Sequence, residues 1–509
     1  MSSKKVFLTL LLIMFIALAF SLPAILNSGS FWFDEIISLK IAQHNIIDSW
    51  QYLKWENNPP LHYWFLHFWI KTFSQSEISL RFSSILFNIF NLIAIYFLGK
   101  KLFNKSIGLM ASFLLAISSF QLFLSMDARM YPMLLFFSIL SCYFFWQALK
   151  QPNRKNWLFY IIFTLLAFYT HLIGFYLFII QNLYFIYHFN FINKKQPKIL
   201  QWTLSQFIIL FLFSPWLINF IIRSVSTINS SAWYLHTSGQ GFLLFQIPRS
   251  FLFFSYNAPS IELIGLIIFG ILFILSFAEI SNWSLIDKQF KIKLKFTPAI
   301  VFSFIIFVMP LFFGFLIQLW VTKYYLVSMI GFLMLLAVGF DNLKLVIRYK
   351  FVLILLLIIF VIPFNLNIIK VNRHTWDQVG KYVNSITQPD DRILISAFTY
   401  QLPFEHYYQG ETEVVAYRPD GLEEDILLRS VKYNWQAILT QENMPEMEQF
   451  IDNKKRIIII NPSVVESVHK SNLVVEWFMD NNWHLVHKEQ FSGFIQPTVL
   501  IFERPDDIL

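Results

Sequence analysis

The chain of 509 residues is 56% hydrophobic and 19% aromatic, and only 14% of it is charged, against about 25% in an average soluble domain. A wholly soluble protein is excluded, because apolar runs near the ~20 residues that a helix needs to cross ~30 Å of hydrocarbon recur through the first 369 residues. The net charge of +8 does not mark a nucleic-acid-binding protein: residues 1–369 carry net +16 and residues 370–509 net −8, and the basic excess falls in the membrane part.

The apolar runs predict eleven transmembrane helices, near 6–26, 78–98, 107–125, 131–149, 157–170, 172–190, 199–222, 260–279, 297–320, 325–340 and 351–369. Lys4 and Lys5 precede the first, whose apolar stretch is too long for a usual cleaved leader, so it reads as an uncleaved anchor. Lys100, Lys101 and Lys105, then Lys150, Arg154 and Lys155, then Lys194, Lys195 and Lys198, then Lys288 to Lys295, then Lys344, Arg348 and Lys350 all fall in alternate loops. By the positive-inside rule that face is cytoplasmic. The expected topology is a multi-pass protein of the cell (inner or plasma) membrane with its N-terminus inside and residues 370–509 extracytoplasmic. It depends on a break at Thr170-His171, since one long span there would move every later loop across the bilayer. Cys142 is the only cysteine and lies inside an apolar run, so no disulfide framework or thiolate metal site is expected.

The first outer loop, 27–77, reads as two interfacial helices. Residues 35–53 have an imperfect amphipathic period, and 61–73, after Asn57-Asn58-Pro59-Pro60, pack aromatic residues around His62 and His67. Beyond residue 370 the apolar density falls. Strands are expected at 392–397, 456–461 and 498–503, with helices at 376–386, 444–453 and 472–482, giving a small α/β domain. It has neither a G-x-G-x-x-G nor a Walker sequence, so no nucleotide cofactor is expected. Its acid-rich patch Glu423-Glu424-Asp425 reads as a solvated face.

Of the ten carboxylates in residues 1–369, Asp34, Glu35, Asp48, Glu56, Glu77, Asp127 and Glu262 fall in outer loops or at outer helix ends, so chemistry is expected to face outward. The acidic pair Asp34-Glu35 suits a general base with a supporting partner; equally, Asp34 suits the cap of a helix starting near Glu35. Arg129, in the turn Met126-Asp127-Ala128-Arg129-Met130-Tyr131-Pro132, fits a phosphate ligand with Asp127 orienting it or sharing in proton transfer, or else an interfacial arginine. Arg81, four residues after Glu77, fits an i,i+4 pair or a phosphate ligand, and Lys323-Tyr324 has the same two readings. His62 and His171 are candidate metal ligands, but no H-x-x-x-H or H-E-x-x-H spacing accompanies them. A divalent metal therefore stays an open option, with no ligand set assigned.

Together these residues resemble a known family. The acidic pair Phe33-Asp34-Glu35, the Asn58-Pro59-Pro60-Leu61 stretch, Asp127-Ala128-Arg129-Met130-Tyr131, the Thr170-His171 turn and the soluble outer domain look like the GT-C glycosyltransferases, and most like glycosyltransferase family 39, which includes protein O-mannosyltransferases and the aminoarabinose transferases of lipid A. The resemblance implies transfer of a monosaccharide from a polyprenyl-phosphate donor to a cell-envelope glycan, lipid or protein, usually with inversion, at the outer face of the membrane. It implies a catalytic role for Asp34, with Glu35 and Asp127 beside it. It places Arg81, Arg129 and Lys323 near the donor phosphate, and makes Asn58, Pro59, Pro60, Tyr131, His171 and Tyr324 supporting residues. Asn57-Asn58 stands where aminoarabinose transferases have Glu-Lys, which argues against lipid A modification and against a transferred metal site. Two rivals share some of these features: a polysaccharide ligase or polymerase, which relies on a large later outer loop such as 223–259 with Arg223, His236 and Arg249, and a lipid-linked sugar flippase or transporter. The latter wants midplane charges and broken helices, and these spans hold almost no charge.

Overall fold

The computed structural model describes residues 1–192, 199–227, 243–254, 259–281, 291–317, 319, 321–343, 347–416, 425–432, 447–451, 454–462, 472–493 and 496–505. Lys194, Lys195, Lys198, His236, Lys288, Lys344, Glu423 and Glu424, and the ends of the helix expected at 444–453, lie outside the described residues, as does the Arg223 side chain.

The membrane part comprises α1 (Ser3–Asn27), α2 (Phe33–Gln43), α3 (Trp50–Leu53), α4 (Leu61–Thr72), α5 (Glu77–Leu102), α6 (Lys105–Ile117), α7 (Ser119–Ser125), α8 (Tyr131–Lys150), α9 (Arg154–Thr170), α10 (Tyr176–Tyr187), α11 (Ile199–Thr227), α12 (Leu243–Leu252), α13 (Pro259–Leu275), α14 (Pro298–Leu316), α15 (Leu326–Asn342) and α16 (Ile347–Lys370). Side-chain caps start several of them: the oxygens of Ser76, Asn104, Asn153 and Thr297 accept backbone N–H groups at the entries of α5, α6, α9 and α14. Every one of the eleven expected positions carries helix. By length and composition, however, eight helices among the described residues qualify as spans, nine if α6 and α7 count as one broken span; α9 and α13 have 17 residues each. The chain is a multi-pass membrane protein. Helix α15 forms the centre of the bundle, with every side chain from Leu326 to Phe340 buried, whereas α1, α11 and α16 present exposed Phe, Leu and Ile along their outer sides.

Two local expectations change. The run 107–125 is two helices meeting at 62°. The break is stabilised by Ser118, whose hydroxyl caps α7 by accepting the Gln121 N–H at 3.1 Å, and by Ser119, whose hydroxyl donates to Leu252 O at 2.7 Å. The amphipathic stretch 35–53 is also interrupted, because Asn45 Oδ1 accepts the N–H groups of Ile47 and Asp48 and closes a turn that competes with the helix. By contrast, the break at His171 is present, with Nδ1 accepting the Ile173 N–H at 3.1 Å and a 3₁₀ turn at Leu172–Phe175. Helices α5 and α6 approach closely through Gly99 and Gly108; a Cβ on Gly99 would stand 2.7 Å from Gly108 Cα.

The C-terminal domain contains α17 (Trp376–Ile386), α18 (Gln401–Tyr407), α19 (Ile426–Lys432), α20 (Met447–Ile451) and α21 (Asn472–Asp480). With β1 (Ala278–Ser281) and β2 (Lys291–Leu294) forming a small hairpin in the membrane part, its strands are β3 (Arg392–Ile395), β4 (Val414–Ala416), β5 (Arg456–Pro462), β6 (His484–Gln490) and β7 (Pro497–Glu503), in the order β4-β3-β5-β7-β6. Pairing is parallel for β3 with β4 and β5, and antiparallel for β7 with β5 and β6. The α/β expectation holds, and the central β5 explains its own sequence: Ile457 and Ile459 face α20 and α21, while Ile458 and Ile460 face a core continuous with the membrane helices.

Candidate active site

The loop of residues 27–77 lies between the ends of the membrane helices and the C-terminal domain. Its entry needs Gly29, whose φ of +71° favours glycine and whose Cβ would fall 2.2 Å from His374 O. Phe33 begins α2, which places Asp34 and Glu35 in its first turn, where the helix dipole favours negative charge. The two carboxylates then take opposite surroundings.

Glu35 is fully buried and holds the loop together. Its Oε1 accepts from Arg81 Nε at 3.0 Å and from the Ala128 N–H at 2.8 Å, and its Oε2 accepts from an Arg81 amino group at 2.9 Å and from the Trp32 N–H at 3.2 Å. The helix-capping function expected of Asp34 therefore falls to Glu35, which reaches back to Trp32. Arg81, 1% exposed, also donates to Gly29 O at 2.7 Å and Ser30 O at 2.9 Å. Four of the five guanidinium N–H groups are thus committed to protein acceptors. This corrects one expectation for Arg81: it is not paired with Glu77 but is the buried counter-ion of Glu35, which leaves one N–H for any phosphate. Glu77 instead accepts the Tyr407 hydroxyl of α18 at 2.7 Å.

Asp34 keeps some access, with 15% of its side chain exposed. Arg129 anchors it: one amino group donates to Asp34 O at 2.9 Å and to Ser38 Oγ at 2.7 Å, and the other lies 3.6 Å from Asp34 Oδ2. Asp127 does not face Asp34 as a proton-transfer partner. It is paired with Arg373, at 2.6 and 3.5 Å, a residue of the segment that leads into the C-terminal domain. Burial pushes the Asp127 carboxyl up, and the Arg373 charge opposes that.

Lys323 completes the site from the turn before α15. Its ammonium stands 5.3 Å from the Tyr131 ring, 5.8 Å from Trp32 and 6.0 Å from Tyr324, a cation held by three aromatic faces. Among the described residues it has no hydrogen-bond acceptor and no ion pair. His171 packs against both Tyr131 and Tyr324, at 5.6 and 5.7 Å between rings. Burial, with the charges of Lys323 and Arg129 adding to it, pushes its imidazole down to about 3, so it stays neutral and brings no positive charge to the box.

The stretch Asn58-Pro59-Pro60 shapes the floor. Pro59 and Pro60 are buried and turn the chain into α4, and Asn58 donates through its backbone and its side chain to Glu56 Oε1, at 3.2 and 2.9 Å. Glu56 is itself buried; burial pushes its carboxyl up, while Arg129 pulls it down and Asp34 adds to the rise. His62 Nε2 lies 3.2 Å from Ala128 O while its buried Nδ1 has no partner among the described residues, and His67 Nδ1 lies 2.8 Å from Ala42 O. Burial and the Arg129 charge push His62 down to about 3. Among the described residues no group of three or more His, Cys, Asp or Glu is placed to hold a metal ion.

Around Asp34, several buried polar atoms have no partner among the described residues: Trp32 Nε1, Arg129 Nε and the Tyr63 hydroxyl. Such groups are costly unless something satisfies them, and all three can donate to oxygens. Sequence reasoning missed Trp32, Glu56, Tyr63 and Arg373. Trp32 adjoins the acidic pair and Glu56 lies among the outer carboxylates, so a signal existed for both; Arg373 stands in no motif.

This arrangement, membrane helices with an acidic loop after the first of them packed against a mixed-sheet domain, is the GT-C fold. A family model described as dolichyl-phosphate-mannose-protein mannosyltransferase matches residues 57–219, which takes in the Pro-Pro-Leu stretch and the 127–131 turn but begins after Asp34. Among solved structures the chain is similar to ArnT from Cupriavidus metallidurans in the apo state, with a TM-score of 0.64, 11% identity and 98% of each chain covered. The same protein bound to undecaprenyl phosphate gives a TM-score of 0.61 over the same shares at 11% identity. The apo oligosaccharyltransferase of Archaeoglobus fulgidus gives 0.54 at 13% identity, covering 90% of this chain and 70% of that one. No curated protein sequence matches.

Proposed function

We propose that the protein is an integral-membrane glycosyltransferase that moves a monosaccharide from a polyprenyl-phosphate donor to a hydroxyl-bearing cell-envelope acceptor at the outer face of the membrane, with inversion. The observation that carries this is that the site holds both a partly exposed carboxylate, Asp34, and an ammonium, Lys323, that lies against the Trp32 ring and has no acceptor among the described residues. Asp34 takes the proton of the acceptor hydroxyl. The acceptor oxygen forms its bond to the anomeric carbon as the bond from that carbon to the phosphate oxygen breaks, and the phosphate leaves with the electron pair. Lys323 and the free Nε of Arg129 stabilise the charge that builds there. Glu35, Arg81 and Asp127 hold the loops that carry these groups. The family-model match and the likeness to a structure bound to undecaprenyl phosphate support the donor class. The loop charges support an extracytoplasmic C-terminal domain, for which a reporter fused after Leu509 should be active outside the cytoplasm; activity only inside would overturn that side assignment.

Lys323→Met should weaken binding of undecaprenyl phosphate to the purified full-length protein by about tenfold to a hundredfold, the range for losing one hydrogen bond to a charged group, and Lys323→Arg should restore much of it. Unchanged affinity in the Met variant would remove Lys323 from the site. Wild-type protein that moves lipid-linked sugar across vesicles without transferring it would replace the enzyme by a transporter.

A further inference from the structure

Two loops meet the segment that joins the last membrane helix to the C-terminal domain. Residues 29 and 30 pair with it through the Gly29–His374 bridge; the Ser30 N–H donates to His374 O at 3.1 Å, and the Trp376 N–H donates to Ser30 Oγ at 2.8 Å. One residue away, Arg373 turns to the other loop. It grips the Asp127 carboxylate, and its guanidinium lies 4.3 Å from the Phe123 ring. From Asp127 the contacts run on without a gap. Its carbonyl accepts the Arg129 N–H at 2.8 Å and the Ser84 hydroxyl at 2.6 Å; the next N–H, that of Ala128, reaches Glu35; and Arg129 holds Asp34. Thr375 fastens the segment to the sheet domain by donating to Ser492 O at 2.7 Å.

We infer that Arg373 is a positioning residue for the transfer reaction, and that residues 373–376 are a strap through which the C-terminal domain sets the Asp34 carboxylate. The domain then acts on the chemistry without contributing a group to it. Two features make the strap more than a packing contact. It joins the loops that carry Asp34 and Arg129, and its ionic end binds a carboxylate that is itself only 8% exposed, so the pair has a defined geometry rather than a screened surface one. Small errors in the placement of a catalytic group are expensive, on the order of a hundredfold for about 1 Å. The inference rests on the transfer reading for its kinetic test alone.

The experiment uses the full-length protein in nanodiscs with Arg373→Met, Arg373→Lys and the double variant Arg373→Met/Asp127→Asn. Hydrogen exchange is read together with turnover of a panel of polyprenyl-phosphate sugars. In Arg373→Met, amide exchange of residues 28–35 and 126–131 should rise by about tenfold or more while that of 456–462 is unchanged, and kcat should fall by about tenfold or more with donor KM nearly constant. The double variant removes the unpaired buried carboxylate and should regain thermal stability without regaining kcat. Arg373→Lys, which keeps the charge but not the fork, should recover part of the rate and serves if the Met variant does not fold. Wild-type exchange in both loops of Arg373→Met would overturn the strap. So would a double variant that recovers kcat along with stability, since the pair would then do no more than neutralise a charge. If wild-type protein turns over no polyprenyl-phosphate sugar, the transfer reading fails, and the exchange results still decide the strap.

Discussion

Asp34→Asn should reduce sugar transfer by about 10²–10⁴-fold, the usual effect of losing a general base, while the protein accumulates and melts as the wild type does. The substitution keeps the size of the side chain and an oxygen that can accept from Arg129, but the amide cannot take up the acceptor's proton. The structure makes this a clean test, because the start of α2 is held by Glu35, whose Oε2 accepts the Trp32 N–H at 3.2 Å, and not by Asp34. The assay is turnover of labelled polyprenyl-phosphate sugars in membranes at matched protein level. A wild-type rate in the Asn variant would remove Asp34 from the chemistry. It would leave Glu56, the other carboxyl close to Arg129, as the group to test next.

The second large effect is on stability. Arg81→Met should destabilise the protein by about 3–5 kcal/mol, because it strands Glu35 as an unpaired buried charge. Glu35→Gln in the same chain should restore a good part of that loss, since removing both partners of a buried pair costs far less than removing one. Thermal melting of the purified protein in detergent checks both. If Arg81→Met melts at the wild-type temperature, the clasp contributes little and Arg81 returns to the list of residues free to meet a ligand.

Much of the fold was legible because lipid imposes a simple rule. A span must be apolar for about 20 residues, so all eleven helical positions could be read, and even the break at Thr170-His171 followed from the alternation of loop charge. Strands β3, β5 and β7 were legible for a related reason: they are buried, and runs such as Ile457 to Ile460 have few other uses. Strand β6 was not, because His484 to Gln490 is exposed along its whole length and its sequence shows no alternation. The bend at Ser118 escaped notice since serine does not break a helix by itself; it does so here because carbonyls of α12 are at hand, and those come from more than 130 residues further along the chain.

The site divides in the same way. That Asp34 and Glu35 lie in the loop after the first span could be seen from the sequence, and so could the presence of Arg81, Arg129 and Lys323 at helix ends. Which acid would pair with which base could not. Arg81 has Glu77 one turn away on its own helix yet pairs with Glu35, 46 positions earlier, because Glu35 is buried and offers two oxygens to a planar fork whereas Glu77 lies where Tyr407 reaches it. Side-chain pairing of that kind depends on three-dimensional closeness, and no spacing rule encodes it. The same limit hid Arg373, whose partner is 246 positions away.

The docking of Tyr407, His374 and Trp376 on the first outer loop also bears on how the protein is made. The Phe31 N–H and the Glu77 carboxylate both wait for the Tyr407 hydroxyl. At a synthesis rate of about 5–20 residues per second, the loop emerges roughly 20–70 s before residue 407 does. During that interval the first helices can enter the bilayer, but the acidic loop has no lid and its backbone donors are met by water. Assembly at the ribosome therefore runs in a fixed order, in which the loop that carries Asp34 and Glu35 closes only after residues 374–407 have been made and have reached it.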